Sequence, residues 1–221
     1  MSLPHIPQAV VFDMDGLLCD TEVVYRDAMF ATAAEHGHHM PLSLFQSMIG
    51  LPGPMSDRQV LNHFGEDFPI AAFNNRVREH VDRACDAGIA LKAGVVELLD
   101  VLDLLGIPRA IATSSSHRAV EAHLGKSGII PRFHAVVARG DYLNGKPNPD
   151  PFLKAAERLQ IAPAVCLALE DSHNGVRAAS SAGMMTIMVP DLLDPTPEMH
   201  GLCVRIAADL HEVRGLLPLG R

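Results

Sequence analysis

The sequence predicts an α/β protein: a Rossmann-like parallel sheet core with helices on both faces, plus an inserted α-helical domain after the first strand. Three observations predict it. From residue 91 onward, short apolar runs alternate with helical stretches, the pattern of βαβ units. Between Thr21 and Ala87 nothing reads as a strand. Finally, the apolar runs end in polar residues, where open parallel sheets bind their ligands.

The first strand is Ala9 to Phe12, an apolar run ending in Asp13-Met14-Asp15-Gly16. Asp20 or Thr21 can cap the next helix, Val23 to His36, which Gly37 stops. Pro41–Met48 is a second short helix, and Gly50-Leu51-Pro52-Gly53-Pro54 is a loop rich in breakers. Ser56–Phe64 and Ile70–Ala87 complete the helical block. The expected domains are therefore residues 1–20 with 92–221 as core, and 21–91 as insertion. In the core, strands are expected at 108–112, 133–138, 165–169 and 185–189, with a last edge strand at 204–206. Helices are expected at 95–105, 116–126, 149–159, 174–182 and 209–216.

Composition narrows the function. The chain has 221 residues, 48% of them apolar and 20% charged, enough to bury a core. A formal net charge of −8 argues against a nucleic-acid partner, which would need a basic face. No apolar run approaches the ~20 residues of a membrane span. With no basic segment leading an apolar stretch at the start, a cytoplasmic protein is expected. Cys19, Cys85, Cys166 and Cys203 lack metal or disulfide spacing and read as reduced thiols. His36, His38 and His39 read as a solvated surface.

The chemistry lies at the strand ends. Asp13 and Asp15, two residues apart, can face one small volume, where paired carboxylates need a compensating cation such as Mg²⁺. The plain alternative is an acidic turn, since Asp-Gly is common turn chemistry. After the later strands come Thr113-Ser114-Ser115-Ser116, Gly145-Lys146-Pro147 and Glu170-Asp171-Ser172. Carboxylates, hydroxyls and one lysine are the inventory for a dication and a phosphate. Asp13 would be the nucleophile, and Asp15 the general acid and base. Asp13, Asp15, Glu170 and Asp171 are the candidate ligands of Mg²⁺, while Thr113, Ser114 and Lys146 would hold phosphate oxygens. His117 and Asn174 lie close by in the chain, as a substrate contact and a support.

These four segments, in this order, resemble the signature motifs of the haloacid dehalogenase superfamily. The helical insertion resembles that family's small cap. Phe12-Asp13-Met14-Asp15-Gly16-Leu17-Leu18-Cys19-Asp20-Thr21-Glu22 is most similar to its phosphatases and β-phosphoglucomutases. The resemblance implies a Rossmann-like core, Mg²⁺ dependence and a cap that closes over a small phosphorylated substrate. It implies a phosphatase acting on phosphomonoesters through an aspartyl-phosphate, as a monomer or weak dimer. Gly50 and Tyr25 would select the substrate. Phosphonatases use a cap lysine, but Lys92, Lys126, Lys146 and Lys154 all lie outside the insertion. β-Phosphoglucomutases carry a lysine, an arginine and a histidine where this chain has Ile49, Gly53 and Tyr25. A mutase is the alternative reading, with Arg26, Arg58, Arg76, Arg78 and Arg83 available on the insertion. A non-catalytic metal- or phosphate-binding protein on the same fold is the second.

Overall fold

The computed structural model describes residues 3–49, 51 and 53–218. The chain divides into two compact units, one of residues up to Asp20 and from Ala90 on, the other Thr21–Ile89. Among the described residues the first unit has six strands: β1 (Ala9–Phe12), β2 (Arg109–Ser116), β3 (Ala135–Arg139), β4 (Cys166–Glu170), β5 (Met185–Met188) and β6 (Arg205–Ile206). All pairings are parallel, and the order is β3-β2-β1-β4-β5-β6. The order reverses at β1, so ligands are expected beyond its carboxyl end.

The helical unit comprises α1 (Thr21–Glu35), α2 (Leu42–Met48), α3 (Gly53–Phe64) and α4 (Ile70–Ala87). The sheet unit adds α5 (Val95–Leu104), α6 (His117–Leu124), α7 (Asp150–Leu159), α8 (His173–Ser181), α9 (Pro197–Leu202) and α10 (Leu210–Arg214). Side chains one residue apart along β1 serve opposite faces. Ala9 and Val11 join Phe152, Ala155 and Ala156 of α7 and Ala178 and Ala179 of α8 in one core cluster. Phe12, on the other side, meets Phe133 edge-on at 5.6 Å. Phe12 and Phe152 are both fully buried; each such side chain contributes about 1.5–3 kcal/mol. Small alanines on facing surfaces let α7 and α8 lie close to the sheet.

Register positions the site. Phe12 is level with Ile111 of β2 and with Leu169 of β4. The residues just beyond, Asp13, Ala112-Thr113 and Glu170, therefore emerge side by side. The Asp13 N–H donates to the Leu169 carbonyl at 2.9 Å.

Several boundaries differ from expectation. β2 does not stop at Ala112 but continues through the hydroxyl residues to Ser116, which pairs with Arg139 after an irregularity in register. Serine and threonine are compatible with a strand edge, and their polarity had suggested a loop. Ser116 caps α6, accepting from the Ala119 N–H at 3.3 Å. The helical unit ends at Ile89 because Leu91 and Lys92 are tied back to the sheet unit. Cys19 and Leu91 form a β-bridge, and the Lys92 N–H donates to the Leu18 carbonyl at 3.0 Å.

Within the helical unit, α1 and α4 bury Ala28, Ala33, Phe73, Val77 and Val81. His36 is half-buried against Phe68 and Phe73 rather than solvated, while His38 stays exposed with its ring on Phe64. Three of the insertion's arginines form ion pairs, Arg26 with Asp27, Arg58 with Glu66, and Arg76 with Glu35 and Glu79, while Arg78 donates to Asn75 Oδ1 and Arg83 to the Glu79 carbonyl. All four cysteines are free thiols. Among the described residues no helix is long and apolar enough to cross a membrane.

Candidate active site

Asp13 follows β1 and is almost wholly buried, 7% exposed. Lys146 reaches it across the sheet edge, its Nζ bonded to Asp13 Oδ1 and 2.5 Å from Glu170 Oε1. Glu170 ends β4 with no exposure at all. Its other oxygen accepts from the N–H groups of Asp171 and Ser172 at 3.1 Å and from the Ser172 hydroxyl at 3.0 Å. Ser172 also caps α8, accepting from the Gly175 N–H. A side chain at position 175 would occupy the space of the Glu170 carboxylate, so glycine is required there. Gly16, at φ +82°, packs against the Asp171 carboxylate in the same way.

Oxygens of Asp13, Glu170 and Asp171 lie within 4.8 Å of one another. Three carboxylates face one ammonium. Burial pushes the Asp13 carboxyl well above its ordinary value, and Glu170 and Asp15 push the same way against Lys146. Burial would lower Lys146, yet the Asp13 and Glu170 carboxylates hold it above the ordinary lysine value, so it stays charged. A buried excess of negative charge with oxygen donors only is the chemistry that fits a hard divalent cation.

Asp15 departs from expectation. Its carboxylate is not part of the Asp13–Glu170–Asp171 group. Instead Asp15 Oδ2 accepts from Ser115 Oγ at 2.7 Å and lies 3.5 Å from Thr113 Oγ1. Asp15 Oδ1 lies 3.0 Å from His123 Nδ1. The reason is local. The chain curls back after Asp13, and Asp15 bridges to Cys19, so strand alternation no longer sets its direction.

Thr113 is buried beside this carboxylate, its hydroxyl accepting from the Ser115 N–H at 3.0 Å. Ser114 is exposed and faces the Tyr142 phenol; that phenol donates to the Thr113 carbonyl at 3.0 Å. His117 is turned to Asp141, its Nε2 2.9 Å from Oδ2, with a side chain 57% exposed. Asn174 accepts from Arg177 on an exposed turn of α8. Tyr25 is an exposed residue of α1, and Gly50 lies outside the described residues. Sequence reasoning missed Ser115, His123 and Gly175. Ser115 stands two residues from Thr113 along a strand, and His123 falls on the buried face of α6 with Val120 and Leu124; both spacings were visible signals.

A family model of haloacid dehalogenase-like hydrolases matches residues 7–183. The chain belongs to that family and is an enzyme, a hydrolase. It is 33% identical over 190 residues to YhcW of Bacillus subtilis, covering 86% of both chains. It is also 33% identical over 184 residues to the phosphorylated carbohydrates phosphatase of Thermotoga maritima, covering 81% of this chain and 83% of that one. Among solved structures, CbbY from Rhodobacter sphaeroides in complex with phosphate superposes with a TM-score of 0.74 at 27% identity, over 94% of this chain and 96% of that one.

Proposed function

We propose that this hydrolase is a Mg²⁺-dependent phosphatase of small phosphorylated metabolites, sugar phosphates among them. The observation that carries the reading is the buried Asp13 carboxylate between Lys146 and the Glu170–Asp171 pair at the end of the central strand. The relative that acts on phosphorylated carbohydrates supports the substrate class.

Asp13, Glu170 and Asp171 would hold the cation. When bound, it offsets the charge that opposes approach of a carboxylate to a phosphate. An Asp13 oxygen attacks phosphorus and the ester oxygen leaves, taking a proton from the Asp15 carboxyl. Asp15, now a carboxylate, takes a proton from water as that water attacks the same phosphorus. Inorganic phosphate departs and Asp13 is restored. Lys146 and the Thr113 hydroxyl bind the non-bridging oxygens, and Lys146 also keeps the carboxylates from repelling one another. Asp15 must swing from Ser115 and His123 to reach the ester oxygen. The helical unit acts as a cap, with Gly50 and Tyr25 selecting the substrate.

Hydrolysis is favoured over phosphomutase action by Ile49, Gly53 and Tyr25, which offer no cation to a second phosphate, and by the ion pairs that engage Arg26, Arg58 and Arg76 within the insertion. The test is phosphate release from an aryl phosphate with Mg²⁺, comparing the wild type with Asp13→Ala. Equal rates for the two proteins overturn the reading. Incubation with β-glucose 1-phosphate and a bisphosphate activator separates the two activities: glucose 6-phosphate marks a mutase.

A further inference from the structure

Beside the all-oxygen group lies a second set of converging donors. Asp15, Cys19 and His123 each present one ligand atom, a carboxylate oxygen, Sγ and a ring nitrogen, and these lie within 4.8 Å of one another. Asp15 and Cys19 come from the turn between β1 and α1, and His123 from the inner face of α6. Asp15 and Cys19 are β-bridge partners, which fixes their backbones side by side. Cys19 and His123 are buried, whereas the Asp15 side chain is 26% exposed and gives a way in. The phosphatase chemistry uses neither Cys19 nor His123.

We propose that this is a second metal site, selective for a borderline-soft dication of the Zn²⁺ or Co²⁺ type, and that its occupation switches the enzyme off. Mixed N, O and S donors suit such ions and not Mg²⁺, which prefers oxygen. Three protein ligands leave a fourth position for water. While Asp15 is a carboxylate it can only accept, and His123 Nδ1 then carries the proton in their contact. The cation replaces that proton. Nδ1 gives its proton to solvent and Nε2 takes one from solvent, so the ring stays neutral as the Nε2–H tautomer, and the Cys19 thiol releases its own proton to solvent. Asp15 is then fixed away from the ester oxygen. The inhibitory part rests on Asp15 being the acid and base of the proposed phosphatase; the binding part does not.

The test is a Co²⁺ titration of the metal-free full chain in excess Mg²⁺, read by absorption. A thiolate-to-cobalt charge-transfer band is expected in the wild type. In Cys19→Ser, which offers no thiolate at this position, the band should be absent at every Co²⁺ concentration. His123→Asn keeps a hydrogen bond to Asp15 and should lose the band while the protein stays folded by circular dichroism. No band in the wild type, or an undiminished band in Cys19→Ser, overturns the site. Zn²⁺ inhibition of aryl phosphate hydrolysis in excess Mg²⁺ tests the switch. Cys19→Ser should need about 100-fold more Zn²⁺ for the same inhibition. Equal inhibition of both proteins means the ion acts at the Asp13 group and overturns the switch. A wild type with no hydrolysis fails the phosphatase reading instead, and the cobalt band still decides the site.

Discussion

Lys146 Nζ stands 2.5 Å from Glu170 Oε1, and neither side chain has appreciable access to water, at 6% and 0% exposed. A buried pair of this kind is costly to break from one side, because the partner is left charged and unpaired. Lys146→Ala should therefore lower stability by about 3–5 kcal/mol in the metal-free protein. Added Mg²⁺ should recover part of that loss while activity stays absent. Urea denaturation with and without Mg²⁺ checks both halves; an unchanged midpoint contradicts them.

Replacement of Asp13 and Asp15 should separate the roles proposed for them. Asp15→Asn should lower kcat by about 10²–10⁴-fold, the range for loss of a general acid–base group. Asp13→Asn should cost more, up to about 10⁶-fold, as removal of a nucleophile does. Steady-state kinetics on an aryl phosphate reads this. Trapping of phosphate on the Asp15→Asn protein and none on Asp13→Asn would assign the attacking oxygen.

The pH dependence has a definite sign. Burial raises Asp13 from the ordinary 3.8 up to about 8 in the metal-free protein. The folded state then holds a proton that the unfolded chain has released, so this group's contribution to stability is full below about pH 4 and declines as pH rises to about 8. Mg²⁺ binding at pH 7 should expel a proton from Asp13, and this release should fade by pH 9. Calorimetry in buffers of different ionisation enthalpy measures it; no buffer dependence at pH 7 would count against it.

Gly175→Ala tests the packing behind the Asp13–Glu170–Asp171 group. The added methyl would lie where the Glu170 carboxylate sits. Overpacking of this sort costs about 1–3 kcal/mol, and displacement of Glu170 should weaken Mg²⁺ binding at the same time. Thermal unfolding across a Mg²⁺ titration reads both. Loss of stability with cation affinity intact would place Glu170 outside the cation's ligands.

The sheet and the strand-end residues were legible because burial and chemistry leave opposite marks. A strand covered on both faces is uniformly apolar, so polar residues at its end stand out, as at Phe12-Asp13 and Leu169-Glu170. Lys146 was found by its position between breakers, although its binding to two carboxylates at once depends on three distant segments meeting. The direction of Asp15 was not legible. Alternation holds only while the chain is extended, and the backbone curls immediately after Asp13. The continuation of β2 through Ser116 was hidden because hydroxyl residues read equally as strand edge or loop. His123 was overlooked because one histidine on a buried helical face carries no label for the partner it meets.

The Asp20 N–H donates to the Ala90 carbonyl at 3.0 Å, so the chain leaves the sheet unit and returns to it at adjacent points. Excising everything between those points and joining them by a short turn would ask little rearrangement of the strands. The same doorway would admit a different block of helices. On the reading proposed above, such an exchange would alter what meets the substrate and leave Asp13, Lys146 and Glu170 in place.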